Sequence, residues 1–108
     1  MSAPITLPPQ ASLAHLARYV DELERMHGWH KADAARCCFQ MGEEVGELFR
    51  AVRDTERAPQ PLAAPLRAAV GEELVDVLNY LLAIANRYDI DLEAAFREKN
   101  DHNQRRSW

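Results

Sequence analysis

The segment from Leu74 to Ala85 constrains the fold most, because its residues, LVDVLNYLLAIA, are apolar around most of a helix circumference. A helix at the surface would instead carry polar residues along one whole side. Its longest apolar run, Leu81 to Ala85, is far too short to cross a bilayer. We therefore expect a central helix in a helical domain.

Three other segments have apolar residues at helical spacing, and no segment has the alternation typical of a strand. The predicted helices run from Ser12 to about His27, Ala34 to about Arg53, Leu66 to about Arg87, and Leu92 to about Arg105. Ser12, Asp33 and Asp91 are suited to cap the first, second and fourth helices. Gly28 is suited to end the first, because glycine tolerates the left-handed conformation.

Four helices of these lengths predict an all-α protein whose protomer is a four-helix bundle. Residues 1–10 are rich in proline and are expected to form a loose arm, which leaves residues 11–108 as the helical domain. Leu92, Ala95 and Phe96 are expected to form the inward stripe of the fourth helix. So small a protomer would leave part of its apolar third helix uncovered, so we expect a homodimer or a dimer of dimers.

Composition narrows the class of protein. The net charge of −4 argues against a general nucleic-acid-binding surface. The first residues, MSAPITLPPQ, lack the features of a signal peptide, and no segment suits a membrane, so we expect a cytoplasmic protein.

Cys37 and Cys38 are adjacent and poorly placed to bond each other, and both are interpreted as reduced, buried helix residues. No histidine or cysteine spacing indicates zinc, and no glycine-rich phosphate loop is present.

Acidic residues are concentrated in the second and third predicted helices. Glu44 and Glu47 are three residues apart with Glu43 beside them, and Glu73 and Asp76 are three apart, so each pair shares a helix face. If the faces meet, the repulsion among carboxylates favours a cation such as Mg²⁺, with Mn²⁺ as a substitute. The alternative is that each motif forms a solvated acidic face.

The two motifs, EEVGEL and EELVDVLNYLL, resemble the EExxE and ExxD signatures of the MazG-like nucleoside triphosphate pyrophosphohydrolases of the all-α NTP pyrophosphatase superfamily. The resemblance runs from Trp29 to Trp108. It implies Mg²⁺-dependent hydrolysis of a nucleoside triphosphate to a monophosphate and pyrophosphate, in a nucleotide-pool house-cleaning role. The implied metal ligands are Glu44, Glu47, Glu73 and Asp76.

The resemblance also implies catalytic and substrate-binding residues. Glu43 is expected to orient a ligand or a water, and Glu47 is our choice of general base. Lys99, Asn103 and Arg106, with Trp108 as the aromatic that follows, resemble the family pattern of the last helix and are expected to bind substrate. Tyr80 and Asn79 are expected to bind substrate because they lie within about one helical turn of Asp76, and Trp29 because its ring can stack on a base. For each of the main candidates a structural role is the alternative: a surface lysine, a core tyrosine, a packing tryptophan or a solvated basic tail.

Two other functions remain open at this stage. One is a pyrophosphohydrolase for phosphoribosyl-ATP or for a dUTP- or dCTP-like substrate. The other is a helical interaction protein without turnover, which the intact set of four acidic ligands argues against.

Overall fold

The computed structural model of the protein describes residues 4–107, which form four α-helices and one short 3-10 turn. The elements are α1 (Leu13–His27), the 3-10 turn (Trp29–Lys31), α2 (Ala34–Glu56), α3 (Ala64–Arg87) and α4 (Leu92–Arg105). Residues 4–107 contain no β-strand. The predicted all-α class is therefore confirmed.

The predicted helix caps are also confirmed. The side chains of Ser12, Asp33 and Asp91 each accept a hydrogen bond from the backbone N–H three residues further on, at 3.2, 2.8 and 3.0 Å. These bonds satisfy backbone donors that the first turn of a helix leaves without partners. Gly28 follows α1 with φ of 75°, a left-handed conformation in which a side chain would be strained.

Two helix boundaries differ from the prediction. α2 continues to Glu56 rather than ending at Arg53, and the Thr55 hydroxyl donates a hydrogen bond of 2.6 Å to the Val52 carbonyl in its last turn. α3 begins at Ala64 rather than at Leu66. Pro65 is tolerated there, because backbone N–H groups in the first turn have no partner within the helix.

The chain divides into two compact units, and α3 contributes to both. One unit is Ala32–Leu81, with α2 and most of α3, and its most buried apolar residues are Cys37 and Ala51. The other unit combines the chain up to Lys31 with the chain from Leu82 onward. Its buried apolar residues are Val20, Leu82, Ala83 and Ala85. Each unit therefore has only a small core of its own.

Polar contacts as well as this core hold the end of α3 against α1. The Asn86 Nδ2 donates a hydrogen bond of 2.9 Å to the Ala17 carbonyl. Arg87 donates two hydrogen bonds, of 2.9 and 2.8 Å, to the two carboxylate oxygens of Glu24. The last turns of α3 are thus fixed by specific partners as well as by apolar packing.

Burial within the chain tests the predictions about apolar faces. α3 was expected to be central, but its buried residues lie only in its last turns. Part of its apolar surface was expected to stay uncovered in one protomer, and Leu74 and Val75 are indeed 53% and 52% exposed. The stripe expected to face inward on α4 is not covered either, since Ala95 is exposed and Phe96 is 62% exposed. These apolar side chains are thus left uncovered within the described chain.

The cysteine prediction is half wrong. Cys37 is buried, whereas Cys38 is exposed, because neighbours on a helix point about 100° apart and only one of them faces the core. The two thiols do not form a disulfide. Among the helices of residues 4–107, none has the length and apolar content that a bilayer span requires.

Candidate metal centre

Three acidic side chains meet in the unit Ala32–Leu81. Glu44 on α2 and Glu73 and Asp76 on α3 each offer a carboxylate oxygen, and these oxygens lie within 4.8 Å of one another. The oxygen ligands of a single octahedral Mg²⁺ lie roughly 3–4 Å apart. The three carboxylates, called the acidic trio below, therefore need only small side-chain rotations to share one ion.

The local environment of Glu73 is suited to binding a cation. Glu73 and Glu44 are half-buried, Asp76 is exposed, and the Glu73 Oε2 is inaccessible to solvent and accepts no hydrogen bond. A buried carboxylate oxygen without a partner carries a desolvation penalty that a bound cation would offset. The donor set consists of oxygen atoms alone, which suits a hard ion such as Mg²⁺ or Mn²⁺.

The pKa of Glu73 reflects the same crowding. Burial raises the pKa of its carboxyl above the ordinary value of 4.5, and neighbouring carboxylates raise it further. These neighbours are Asp76, Glu44, Glu47 and Glu72. The folded chain without metal therefore holds a proton at Glu73 more tightly than an isolated glutamate does.

Tyr80, predicted to contact the substrate, belongs to the same electrostatic group. Burial raises the pKa of its hydroxyl above 10.0, with further contributions from Glu44, Cys37, Glu43 and Asp76. The hydroxyl therefore keeps its proton at neutral pH and is available as a hydrogen-bond donor near the acidic trio.

The other predicted acids of α2 lie outside the acidic trio. Glu43 and Glu47 are both exposed. The Glu47 Oε2 is 3.7 Å from the Arg50 Nη1, a surface ion pair of the kind that contributes little to stability. Glu47 is nevertheless close enough to Glu73 to raise its pKa. Asn79, on α3, is exposed.

The remaining predicted substrate-binding residues belong to the other compact unit. Trp29 is 54% exposed, and Lys99 and Arg106 are exposed. Asn103 is half-buried, and its Oδ1 is buried without a hydrogen-bond partner. Trp108 lies outside the described residues.

Two features of the structure were missed by sequence reasoning. Cys37 lies two helical turns before Glu44 and contributes to the raised pKa of Tyr80. The spacing of seven residues between Cys37 and Glu44 was the signal available in the sequence. Glu24 was also missed, although it lies one turn after Val20 on the apolar stripe of α1. A charged residue on such a stripe indicates a buried partner.

The raised pKa of Glu73 predicts how the metal-free protein responds to pH. A carboxyl whose pKa is higher in the folded state than in the unfolded state makes folding less favourable as pH rises. In EDTA, we expect Glu73→Gln to melt at a higher temperature than wild type, by a margin that grows as pH rises from the ordinary value of 4.5 to neutrality. Thermal unfolding followed by circular dichroism measures this margin.

The control for this prediction is Glu72→Gln, which removes the neighbouring exposed charge. It should show a smaller margin, because Glu72 contributes least to the pKa of Glu73. A difference between Glu73→Gln and wild type that stays constant over the whole pH range would contradict the assignment.

Comparison with known proteins yields one family and a set of related sequences. The family of the MazG nucleotide pyrophosphohydrolase domain matches residues 37–107. dCTP pyrophosphatase 1 of Mus musculus is 36% identical over 107 residues, which are 95% of this chain and 63% of the relative. The Homo sapiens protein of the same name is 37% identical over 102 residues, 91% of this chain and 60% of the relative. The chain thus spans a little under two thirds of the length of these relatives.

Proposed function

Because this chain belongs to the MazG nucleotide pyrophosphohydrolase domain family, we propose that it hydrolyses a nucleoside triphosphate to the monophosphate and pyrophosphate. The observation that carries this proposal is the acidic trio of Glu44, Glu73 and Asp76, whose oxygens converge within 4.8 Å. A non-catalytic helical protein has no need for such a cluster, because clustered carboxylates without a cation destabilise the fold.

Mg²⁺ is the proposed cofactor, with Mn²⁺ as a substitute. Glu44, Glu73 and Asp76 would hold it, and Glu47 is proposed as a fourth ligand, one that must rotate from its exposed position towards the trio. Bound there, the ion would neutralise negative charge on the triphosphate as the P–O bond breaks. The carboxylates of the trio set where the triphosphate is held.

The side chains of α2 provide the proton chemistry. A water attacks the phosphorus that carries the leaving pyrophosphate, in line with the bond that breaks. Glu47 is proposed to accept the proton of this water, and Glu43, one turn earlier, to orient it. Both carboxylates are exposed, so water and substrate reach them.

Further residues are proposed to contact the substrate. In the unit Ala32–Leu81, the Tyr80 hydroxyl donates a hydrogen bond to a phosphate or sugar oxygen, and the Asn79 amide has a similar role. Lys99, Asn103 and Arg106 are proposed to contact phosphate or sugar, on the resemblance of the last helix to the family pattern. Trp29 is proposed to stack on the nucleobase, because stacking tolerates any base.

The relatives guide the choice of substrate. The mouse and human relatives are named dCTP pyrophosphatase 1, so dCTP is the first substrate that we propose for this chain. The corresponding role is removal of unwanted nucleotides from the pool, in a cytoplasmic protein that acts without nucleic acid or membrane.

Pyrophosphate release across a panel of nucleotides tests the proposal. The panel contains the four deoxynucleoside triphosphates, dUTP, the ribonucleotides and phosphoribosyl-ATP, each with Mg²⁺ and with EDTA. We expect Mg²⁺-dependent release of pyrophosphate and the monophosphate, fastest with dCTP. Release of orthophosphate instead, or no turnover of any member, would overturn the proposed reaction.

The exposed apolar side chains support the proposed homodimer or dimer of dimers. Phe39 and Phe49 on α2 are 76% and 71% exposed, and Leu74 and Val75 on α3 are about half exposed. Such residues are typical of surfaces that a second copy covers.

We expect Phe49→Glu to reduce the molar mass measured by light scattering after gel filtration, whereas Lys31→Glu, also an exposed position, leaves it unchanged. An unchanged mass for Phe49→Glu would argue against α2 as the contact.

A further inference from the structure

Arg87 connects three parts of its compact unit through one guanidinium group. Its Nη1 and Nη2 donate hydrogen bonds of 2.9 and 2.8 Å to the two oxygens of Glu24 on α1. The same nitrogens donate to the Ala83 carbonyl at 2.9 Å and to the Trp29 carbonyl at 3.0 Å. The Trp29 bond joins the 3-10 turn after α1 to the end of α3, which is 58 residues further along the chain.

Trp29 presents its ring from this turn. The indole stacks on the His27 imidazole, with ring centroids 4.3 Å apart and planes 16° from parallel. His27 covers one face of the indole, and the residue as a whole is 54% exposed. Much of the Trp29 surface therefore remains accessible to a planar partner, as base stacking requires.

The pair that anchors the turn is built for rigidity. The side chains of Arg87 and Glu24 are only 13% and 11% exposed. A bidentate contact between arginine and a carboxylate fixes the guanidinium plane as well as its position. A lysine would supply the charge but lacks the planar fork of donors that contacts Glu24, Ala83 and Trp29.

We propose that Arg87, oriented by Glu24, is a positioning residue that holds the Trp29 turn so that the exposed indole can stack on the nucleobase of the substrate. This inference rests on the proposed function for its substrate. Its structural half, that Arg87 fixes the Trp29 turn, can be measured without turnover, whereas its functional half, that Trp29 stacks on the nucleobase, requires kinetics. Arg87 acts through Trp29, so its removal should weaken substrate binding and leave the chemical step intact.

The informative variant is the double substitution Glu24→Leu with Arg87→Met. Single substitutions would leave a buried charge without its partner and risk unfolding the chain, whereas apolar replacement of both partners is often neutral for stability. The double variant keeps the packing volume and removes the hydrogen bond to the Trp29 carbonyl. Its matched control is Asp21→Leu with Arg25→Met, which removes an exposed ion pair of 3.1 Å on α1.

Tryptophan fluorescence tests the structural half. Trp29 and Trp108 are the two tryptophans, so every protein carries Trp108→Phe and Trp29 alone reports. We expect lower emission anisotropy and stronger acrylamide quenching in the Glu24→Leu, Arg87→Met variant, and no change in the control. A double variant that folds with unaltered anisotropy and quenching would overturn the proposal.

Steady-state kinetics with dCTP, or with the best substrate of the panel, test the functional half. Stacking is worth about 1–3 kcal/mol per base, so Trp29→Ala should raise KM between about fivefold and 150-fold with kcat little changed. The Glu24→Leu, Arg87→Met variant should raise KM by up to the same factor. Adding Trp29→Ala to it should give no more than the effect of Trp29→Ala alone, because both act through one group.

Each other result has a defined meaning. Multiplicative effects on KM, or a fall in kcat without a rise in KM, would overturn Arg87 as a positioning residue for Trp29. An unchanged KM in Trp29→Ala would remove the stacking role of Trp29, and with it this inference, while leaving the proposed hydrolysis in place. Absence of turnover in the wild type would defeat the proposed function, and the fluorescence would then decide only whether Arg87 fixes the turn.

Discussion

Asp76→Asn and Glu44→Gln are each expected to lower the rate of pyrophosphate release by more than about a hundredfold, because mutation of groups that merely support a metal ligand already costs ten- to a hundredfold. Both substitutions keep the size of the side chain and remove the negative charge from a member of the acidic trio. A neutral amide is a much poorer ligand for Mg²⁺ than a carboxylate. Single-turnover measurements at saturating Mg²⁺ give the rate without interference from product release.

The same variants should lose the stabilisation that Mg²⁺ gives to the folded protein. An ion that binds only the folded state at a hundredfold excess over Kd stabilises it by about 2.7 kcal/mol. We expect a clear rise of Tm with Mg²⁺ for the wild type and almost none for Asp76→Asn. Without metal, each variant should be at least as stable as the wild type, because repulsion around Glu73 is relieved.

The matched control is Glu72→Gln, which removes an exposed carboxylate adjacent to Glu73 in sequence and outside the acidic trio. It should retain most of the activity and of the Mg²⁺ response. Loss of both in Glu72→Gln would mean that total negative charge matters rather than ligation. Wild-type turnover in Asp76→Asn and Glu44→Gln would remove the acidic trio from the reaction.

The helices of the described chain were largely predictable because local interactions determine them. Ser12, Asp33 and Asp91 begin helices through hydrogen bonds to backbone three residues away, so a short stretch of sequence contains the signal. The spacing of Glu73 and Asp76 likewise places them on one face of α3. That Glu44 joins them was an expectation that needed the packing of α2 against α3.

Burial was less predictable, because it depends on what else covers a surface. Leu74 and Phe96 are apolar residues at helical spacing, yet both are more than half exposed in the single chain. Hydrophobic periodicity identifies a face that avoids water without saying whether the same chain or another copy covers it. The same limit applies to Glu47, which shares a helix face with Glu44 but is exposed and stands outside the acidic trio.

The ion pair between Glu24 and Arg87 lies furthest beyond sequence reasoning, because its partners are 63 residues apart. No spacing rule connects them, and only the fold brings α1 to the end of α3. Among the residues that the structure describes, Glu24 is the one buried side chain that is charged or polar. The stability of the fold should therefore be unusually sensitive to it.

Glu24→Leu alone is expected to destabilise the protein by about 3–5 kcal/mol, the usual cost of leaving a buried charge without its partner. For a chain of this size each kcal/mol lowers Tm by about 4–8 °C, so the melting temperature should fall by at least about 12 °C. Thermal and urea unfolding followed by circular dichroism measure the loss. Asp21→Leu breaks the exposed ion pair with Arg25 on the same helix and should cost no more than about 1 kcal/mol.

Adding Arg87→Met to Glu24→Leu distinguishes a buried charge from a simple loss of contacts. If the penalty comes from the loss of the Glu24 carboxylate beside the buried guanidinium, the second substitution removes the positive charge and recovers most of the lost stability, so the two effects are strongly non-additive. If instead the hydrogen bonds to Ala83 and Trp29 carry the stability, the double variant should be less stable than Glu24→Leu, because these carbonyls then lose their donor. Recovery in the double variant would thus show that Glu24 serves mainly to neutralise Arg87, and a further loss would show that the guanidinium is needed chiefly for the backbone it holds.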